Sequence, residues 1–254
     1  MISLAGKAAV VTGGSRGIGA ATVKLFAQAG ADVVFSYNKS REAAAQVEQE
    51  ARKHGTRIES QKADLAKMAD AKALIDFARE RLGRLDILVA NAGIWNEKDA
   101  PIERLTEREW DEMIRVNLKS AYAVIHFAVP HMIAQKSGRI VAISSTAGQR
   151  GESLHAHYAA SKGAIISFVK SLSTELARHN ILVNCIAPGW IDTDMSASVL
   201  RDKKLLKSAL APIPLKRPGK AEEIAGPVLF AVSDLATFMT GEVINVNGGS
   251  VLCG

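Results

Sequence analysis

The chain has 254 residues, of which 48% are hydrophobic, so it is long and apolar enough to bury one large core. Its formal net charge is +6, but only 5% of its residues are aromatic and its basic residues are scattered among acidic ones, which argues against a nucleic-acid partner. No run of 18 uninterrupted apolar residues and no separate amphipathic basic helix is present, so no membrane association is expected either.

The first predicted element is a strand, a turn and a helix near the amino end. The apolar run KAAVVT enters a strand instead of forming a signal peptide, and a turn containing Gly13, Gly17 and Gly19 follows it. A helix that begins at such a turn presents backbone N–H groups to a pyrophosphate. The spacing differs from the familiar G-x-G-x-x-G, but its place between a strand and a helix indicates dinucleotide binding.

Six further strand candidates follow and alternate with helical segments. Their sequences are DVVFSY, RIESQK, LDILVAN, RIVAISS, ILVNCIA and EVINVN. Nearly continuous apolar runs are typical of parallel strands that are buried on both faces. The pattern predicts an α/β fold, a Rossmann-type, doubly wound parallel sheet of about seven strands with helices on both faces, in one domain over residues 1–254.

The segment 192–218 is predicted to be irregular, because Pro212, Pro214 and Pro218 interrupt it. An insertion at this position often covers a substrate, so we expect a lid here. An ordinary surface connection is the alternative.

The cysteines and two neighbouring histidines predict no metal site. Cys185 and Cys253 lack the spacing of a metal or redox motif, which is compatible with a reducing, cytoplasmic compartment. His155 and His157 have no carboxylate or third histidine at ligand spacing. We expect both histidines to line or cap a site.

Tyr158 and Lys162 lie one helical turn apart in the sequence YAASK, so their side chains share a helix face. The pKa of a phenol is about 10, and a tyrosine exchanges protons near pH 7 only if positive charge favours the phenolate. Lys162 could supply that charge. The same spacing also occurs by chance in amphipathic helices. Here, however, the chain also has Ser145, 13 residues before Tyr158, and the glycine turn near its amino end, and both favour a catalytic pair.

These motifs together resemble those of the short-chain dehydrogenase/reductase family, over essentially the whole chain. The matching segments are Thr12–Gly19, Asn91-Ala92-Gly93, Ser145, Tyr158-x-x-x-Lys162 and Pro188-Gly189, in the family's order. The resemblance implies hydride transfer between a nicotinamide cofactor and a carbonyl or alcohol. Within the family, the segments VNLKSAYAV, APGWIDTDM and IPLKRPGKAEEIA are most similar to bacterial 3-oxoacyl-[acyl-carrier-protein] reductases.

The resemblance implies four catalytic residues. Tyr158 would be the acid and base, and Lys162 would lower its pKa and contact the nicotinamide ribose. Ser145, rather than the adjacent Ser144, would hold the substrate oxygen. Asn117 would organise a water molecule near the lysine, although a buried asparagine that satisfies backbone groups is the alternative.

The residues that the resemblance places around the cofactor are Gly13, Ser15, Arg16, Gly17, Ile18, Gly19, Asn38, Lys39, Asp64, Leu65, Asn91, Ala92, Gly93, Tyr158, Lys162, Pro188, Gly189, Ile191 and Thr193. The segment after the second strand has no acid to bind a ribose 2′-hydroxyl, whereas Arg16 and Lys39 could bind a 2′-phosphate. NADP(H) is therefore expected over NAD(H). The alternatives are that both cations point into water and that Asp64 is a helix cap.

The substrate is specified less tightly. A 3-oxoacyl thioester on an acidic acyl carrier protein would suit the net charge of +6. However, two arginines that dock the carrier protein in those reductases are replaced here by Lys136 and His179. Lysine keeps the charge but lacks the guanidinium fork, and a neutral histidine lacks both. The segment Ile94–Lys98 also leaves open a smaller ketone, sugar or alcohol as the substrate, and a non-catalytic nicotinamide sensor is a remote alternative. Direction and stereochemistry are not specified.

Two helical segments indicate assembly. The segments 158–179 and 117–135 have more apolar surface than one sheet face needs. Related enzymes pair these helices, so a homotetramer is expected. Burial within the monomer is the alternative.

Overall fold

The computed structural model describes residues 2–252, and its centre is a parallel sheet of seven strands in the order β3-β2-β1-β4-β5-β6-β9. The strands are β1 (Ala8–Val11), β2 (Asp32–Tyr37), β3 (Ile58–Lys62), β4 (Ile87–Ala90), β5 (Gly138–Ile143), β6 (Ile181–Pro188), β7 (Ile191–Asp192), β8 (Gly219–Lys220) and β9 (Val243–Val246). The short strands β7 and β8 pair separately. All seven predicted strands are present, so the predicted fold class is confirmed.

Helices cover both faces of this sheet. They are α1 (Gly17–Gln28), α2 (Arg41–Arg52), α3 (Met68–Leu82), α4 (Glu107–Met113), α5 (Ser120–Gln135), α6 (Thr146–Arg150), α7 (Ala156–Leu176), α8 (Ala197–Arg201), α9 (Lys203–Leu210) and α10 (Ala221–Val232). A π-helix (Ile114–Lys119) joins α4 to α5, and 3₁₀ turns cover Ala177–His179, Asp194–Ser196 and Asp234–Ala236. Among these described helices, none is both long and apolar enough to cross a bilayer.

Side chains alternate between the two faces of the sheet along each central strand, so the hydrophobic core has two layers. Val10 of β1 belongs to the cluster that contains buried residues of α3, α5 and α7, and Val11 belongs to the cluster that contains those of α1, α2 and α10. Successive side chains of a strand point to opposite faces, so each central strand must be apolar at every position. This is why β1 and β4 are completely buried.

The order of the strands reverses at β1. From β1 the chain first builds outward through β2 and β3, and then returns to place β4 on the other side of β1. In open α/β sheets, ligands bind in the crevice outside the carboxyl ends of the strands at such a point. Gly13 and Asn91 lie just beyond the carboxyl ends of these two strands.

The segment 192–218 differs from the irregular structure that its prolines predict. Residues 194–210 form a 3₁₀ turn followed by α8 and α9. Asp202 caps α9, because its Oδ1 accepts hydrogen bonds from the backbone N–H groups of Lys204 (2.8 Å) and Leu205 (2.9 Å). The prolines come only after α9 ends, so they delimit the helix without interrupting it.

Candidate active site

The glycine turn between β1 and α1 leaves room for a ligand and no room for side chains. A Cβ atom at Gly19 would lie 2.2 Å from Gly13 O, and Gly13 and Gly17 have φ values of +66° and +52°. Among the described residues, no side chain caps the amino end of α1, where Arg16 is the N-cap. Backbone N–H groups at a helix amino end are suited to a phosphate. The turn therefore fits a dinucleotide pyrophosphate.

Thr12 and Asn91 connect the carboxyl ends of β1 and β4. The Thr12 hydroxyl oxygen accepts hydrogen bonds from the backbone N–H groups of Asn91 and Ala92, both at 2.9 Å. The Asn91 amide in turn donates to Thr12 O at 2.9 Å. These bonds hold the two strand ends together at the crevice, so both motif residues have a structural role of their own.

Asn117 connects the loop after β4 to helix α7. Its Oδ1 accepts from Ile94 N (2.7 Å), and its Nδ2 donates to Ile94 O (3.0 Å) and to Ser161 Oγ (3.1 Å). The residue is fully buried in the π-helix. This is the arrangement expected of a buried asparagine that satisfies backbone groups, and the water-organising role of Asn117 stays a prediction.

Tyr158, Ser145 and Lys162 meet beside the carboxyl end of β5. Tyr158 forms a hydrogen bond with Ser145, and Lys162 Nζ lies 5.9 Å from the centre of the Tyr158 ring. Lys162 Nζ donates a hydrogen bond to Ile143 O at 2.9 Å. The neighbouring Ser144 is buried and donates to Lys162 O at 2.7 Å. Ser144 therefore supports the helix, and Ser145 is the serine that reaches the tyrosine.

Burial dominates the electrostatics of Tyr158 and Lys162, and the effect of the Lys162 charge on the pKa of Tyr158 stays a prediction. Burial raises the pKa of Tyr158, the hydrogen bond with Ser145 opposes that increase, and the charge of Glu152 adds to it. Burial also lowers the pKa of Lys162 to about 8. At pH 7 the tyrosine is therefore a protonated donor, and the lysine is mostly charged.

The structure gives the surroundings of four more predicted cofactor residues, whose role in binding a cofactor stays a prediction. Thr193 lies over the glycine turn, since its methyl group would be 3.2 Å from a Cβ atom at Gly17. Arg16 is exposed, and its Nη1 is 3.4 Å from Asp194 Oδ2. Lys39 is exposed just beyond β2. Asp64 Oδ1 accepts from Ala66 N, so the residue caps a turn before α3 without capping the helix itself.

Trp95, His155 and Trp190 form an aromatic cluster that sequence analysis did not assemble. The rings of Trp95 and His155 are stacked with centres 5.0 Å apart, and Trp190 meets Trp95 edge-on at 5.8 Å. His155 Nε2 donates to Asn96 O at 2.8 Å, which fixes the imidazole. Each tryptophan closely follows a cofactor motif in the sequence, and this was the available signal. The cluster joins three loops at the mouth of the crevice.

His157 precedes Tyr158 and is fully buried. Among the described residues, neither of its ring nitrogens has a hydrogen-bond partner. Burial lowers the pKa of His157, the charge of His155 lowers it further, and Glu109 opposes both. The ring is therefore neutral in the folded protein at pH 7. Among residues 2–252, no group of three His, Cys, Asp or Glu side chains could hold a metal ion.

We expect the folded protein to lose stability as the pH falls below about 6.5, because the unfolded chain takes up a proton at His157 that the folded chain refuses. His157→Leu should reduce this loss by up to about 1.4 kcal/mol between pH 7.5 and pH 5.5. Urea unfolding at the two pH values measures it, with His54→Leu, at an exposed position, as the control. Equal pH dependence in the variant and the parent would contradict the assignment.

The sequence of this chain matches a protein-family model and is similar to proteins of known function. A family model described as Enoyl-(Acyl carrier protein) reductase matches residues 13–250. The chain is 39% identical over 249 residues to the 3-oxoacyl-[acyl-carrier-protein] reductase FabG of Thermotoga maritima, covering 98% of this chain and 99% of that one. It is 42% identical to the FabG of Chlamydia trachomatis, with 97% and 98% covered.

Two solved structures are similar to this chain over nearly its whole length. The crystal structure of gox2181 superposes with a TM-score of 0.94 at 32% identity, covering 98% of this chain and 96% of that one. A dehydrogenase/reductase from Sinorhizobium meliloti superposes with a TM-score of 0.91 at 35% identity, covering 98% and 97%.

Proposed function

This chain belongs to the short-chain dehydrogenase/reductase family, and we propose that it reduces a 3-oxoacyl thioester to the 3-hydroxyacyl thioester with NADPH as the hydride donor. The proposed substrate is supported by sequence identity. The chain is 39% and 42% identical, over almost its whole length, to two relatives named 3-oxoacyl-[acyl-carrier-protein] reductase. As a family member, the chain is an oxidoreductase that interconverts a carbonyl and an alcohol. The acyl thioester is the finer part of the proposal.

In the proposed reaction, the nicotinamide supplies the hydride when it is bound. Ser145 and Tyr158 hold the carbonyl oxygen of the substrate, and the Tyr158 hydroxyl donates its proton to that oxygen as negative charge develops there. Two observations support Tyr158 as the donor: its hydrogen bond with Ser145 and the position of Lys162 Nζ, 5.9 Å from the centre of its ring. Lys162, charged at pH 7, stabilises the tyrosinate that remains. The Asn117 hydrogen bonds keep α7 against the loop after β4.

We also propose that residues 1–254 form one domain, that residues 192–218 form a lid over the crevice, and that the protein assembles as a homotetramer. Support for the lid comes from its two ends, because β7 and β8 pair beside Trp190, whose carbonyl accepts from Gly219 N at 2.9 Å. Support for assembly comes from α5, where Tyr122 is 42% exposed.

A second candidate is the reduction of a small apolar ketone. The aromatic cluster of Trp95, His155 and Trp190 favours it, because these rings narrow the mouth of the crevice. His179 also favours it, since its Nε2 already accepts a hydrogen bond from Arg178 Nε at 3.1 Å.

NADPH oxidation by the purified protein tests the proposal, with acetoacetyl-CoA offered beside a panel of small ketones and sugars and with NADH in parallel. We expect turnover of the thioester with NADPH. Turnover of small ketones alone would replace the proposed substrate by the second candidate, and binding of NADPH without any turnover would favour a nicotinamide sensor.

The cofactor preference gives a separate prediction. Arg16→Ala/Lys39→Ala should raise the KM for NADPH at least about tenfold, because each cation forms a charge-assisted bond with the 2′-phosphate, and should change the KM for NADH less than about threefold. Lys53→Ala removes an exposed cation elsewhere and is the matched control. Equal losses for the two cofactors would refute the 2′-phosphate role.

A further inference from the structure

The positive charge of this chain is concentrated in one segment. Seven of its 32 basic residues, but only one of its 26 acidic residues, lie between positions 201 and 220. The rest of the chain holds 25 residues of each sign, so the whole net charge of +6 belongs to this segment. Elsewhere the basic residues are scattered among acids, as expected, but here they are not. We call residues 201–220 the cationic segment; its basic residues are Arg201, Lys203, Lys204, Lys207, Lys216, Arg217 and Lys220.

The cationic segment lies at the edge of the active-site crevice. It begins after Thr193, which covers the glycine turn, and it ends at β8, which pairs with β7 next to Trp190. Ile213 buries its side chain against Gly248 and holds the middle of the segment to the body of the protein. The cations on α8 and α9 are therefore presented close to the place where a substrate would enter.

Most of these cations are free to bind a partner. Arg201, Lys203, Lys204 and Lys207 are exposed, and none of them forms an ion pair with a described residue. Arg217 is different, because its guanidinium bonds to the Glu223 carboxylate at 2.7 Å. The available charge is thus concentrated on the end of α8 and on α9.

The arrangement suits an extended acidic surface better than a single phosphate. A phosphate site needs donors that converge on one point, but these cations are spread along exposed helices. Lys203 and Lys207 are four residues apart and share one face of α9. Exposed apolar side chains lie among the charges, namely Leu205 (48% exposed) and Leu215 (63%). A cationic surface with apolar points is complementary to an acidic, amphipathic protein.

We propose that the cationic segment is the docking surface for an acidic carrier protein that delivers the acyl thioester to the crevice. This inference rests on the proposed function for its substrate. It also accounts for the absence of arginine at positions 136 and 179, because the docking charge lies largely on the proposed lid in this chain. Attraction to this surface raises the rate of association, and the attraction weakens as salt is added.

The test compares two charge reversals of equal size in the full chain. Lys203→Glu/Lys207→Glu alters the cationic segment, and Lys53→Glu/Arg108→Glu alters two exposed cations that pair with no described residue. Each protein is assayed with NADPH and three substrates: acetoacetyl acyl carrier protein, acetoacetyl-CoA and uncharged ethyl acetoacetate. Binding of the carrier protein without an acyl group is measured separately by fluorescence anisotropy at rising salt.

We expect the first variant to raise the KM for the carrier-bound substrate at least about tenfold and to weaken carrier binding to a similar degree, with kcat and ethyl acetoacetate reduction unchanged. The control should change each value less than about twofold. The binding measurement needs no turnover, so it judges the docking surface even if no thioester is reduced and the proposed function fails.

Five results would overturn the docking surface. The first two are unchanged carrier binding in the first variant and equal effects of the two variants. The third is an equal loss for acetoacetyl-CoA, which would indicate recognition of a small phosphate ligand. The fourth is duplex DNA that binds the parent as tightly as the carrier does, which would indicate a general polyanion surface. The fifth is loss of ethyl acetoacetate reduction, which would show a structural effect on the lid.

Discussion

Tyr158→Phe is expected to lower kcat for carbonyl reduction at least about a hundredfold while cofactor affinity stays within about twofold. The substitution removes the hydroxyl that bonds to Ser145 and keeps the ring that packs in the crevice. The parent hydroxyl carries a proton at neutral pH, and phenylalanine has none to give. Stopped-flow measurement of hydride transfer and titration of NADPH fluorescence give the two quantities.

The matched control for this experiment is Tyr122→Phe, which removes a hydroxyl from a tyrosine on α5 that is 42% exposed. Its kcat should equal that of the parent. A Tyr158→Phe protein with a near-normal rate would show that another group, or solvent, supplies the proton. A large loss of NADPH affinity would show instead that the hydroxyl mainly binds the cofactor.

Lys162→Met is expected to have opposite effects on activity and stability. Activity should fall about a hundredfold, because the charge that stabilises the Tyr158 anion is lost. The free energy of unfolding at pH 7 should rise by about 1–2 kcal/mol, because a lysine whose folded pKa is about 8 resists burial in its charged form. The lost hydrogen bond to Ile143 O offsets part of a gain that would otherwise be about 3 kcal/mol.

The sign of this effect follows from proton binding. Between pH 8 and about 10.5 the unfolded chain holds a proton at Lys162 that the folded chain has released, so the parent gains stability as the pH rises through that window. The variant lacks this gain. Activity of the parent should fall over the same rise in pH, as the lysine loses its charge. Denaturant unfolding and pH-rate profiles measure the two trends.

Lys170→Met is the control for this pair of measurements, since Lys170 lies two turns further along α7 and is exposed. It should change neither activity nor stability appreciably. A Lys162→Met protein that is both inactive and less stable than the parent would indicate that the buried amine supports the fold, and the assigned electrostatic role would then be wrong.

Most of the fold could be predicted from the order of residues. The apolar runs KAAVVT and LDILVAN predict buried parallel strands, since a strand covered on both faces needs apolar side chains at every position. The observed β1 and β4 are completely buried. The segment 192–218 was less predictable, because its prolines were visible while the cap that Asp202 provides to α9 depends on local geometry.

The seven-stranded fold and the spacing of Ser145, Tyr158 and Lys162 could be predicted from local properties of the chain, namely the side-chain period of strands and the repeat of helices. The electrostatic state of the tyrosine and the lysine, in contrast, depends on how distant elements pack together. Burial shifts the pKa values of Tyr158 and Lys162 and leaves the ring nitrogens of His157 without a hydrogen-bond partner among the described residues. Burial depends on every element that packs around these side chains. The stacking of Trp95 on His155 likewise joins loops that are far apart in sequence, which no local pattern reveals.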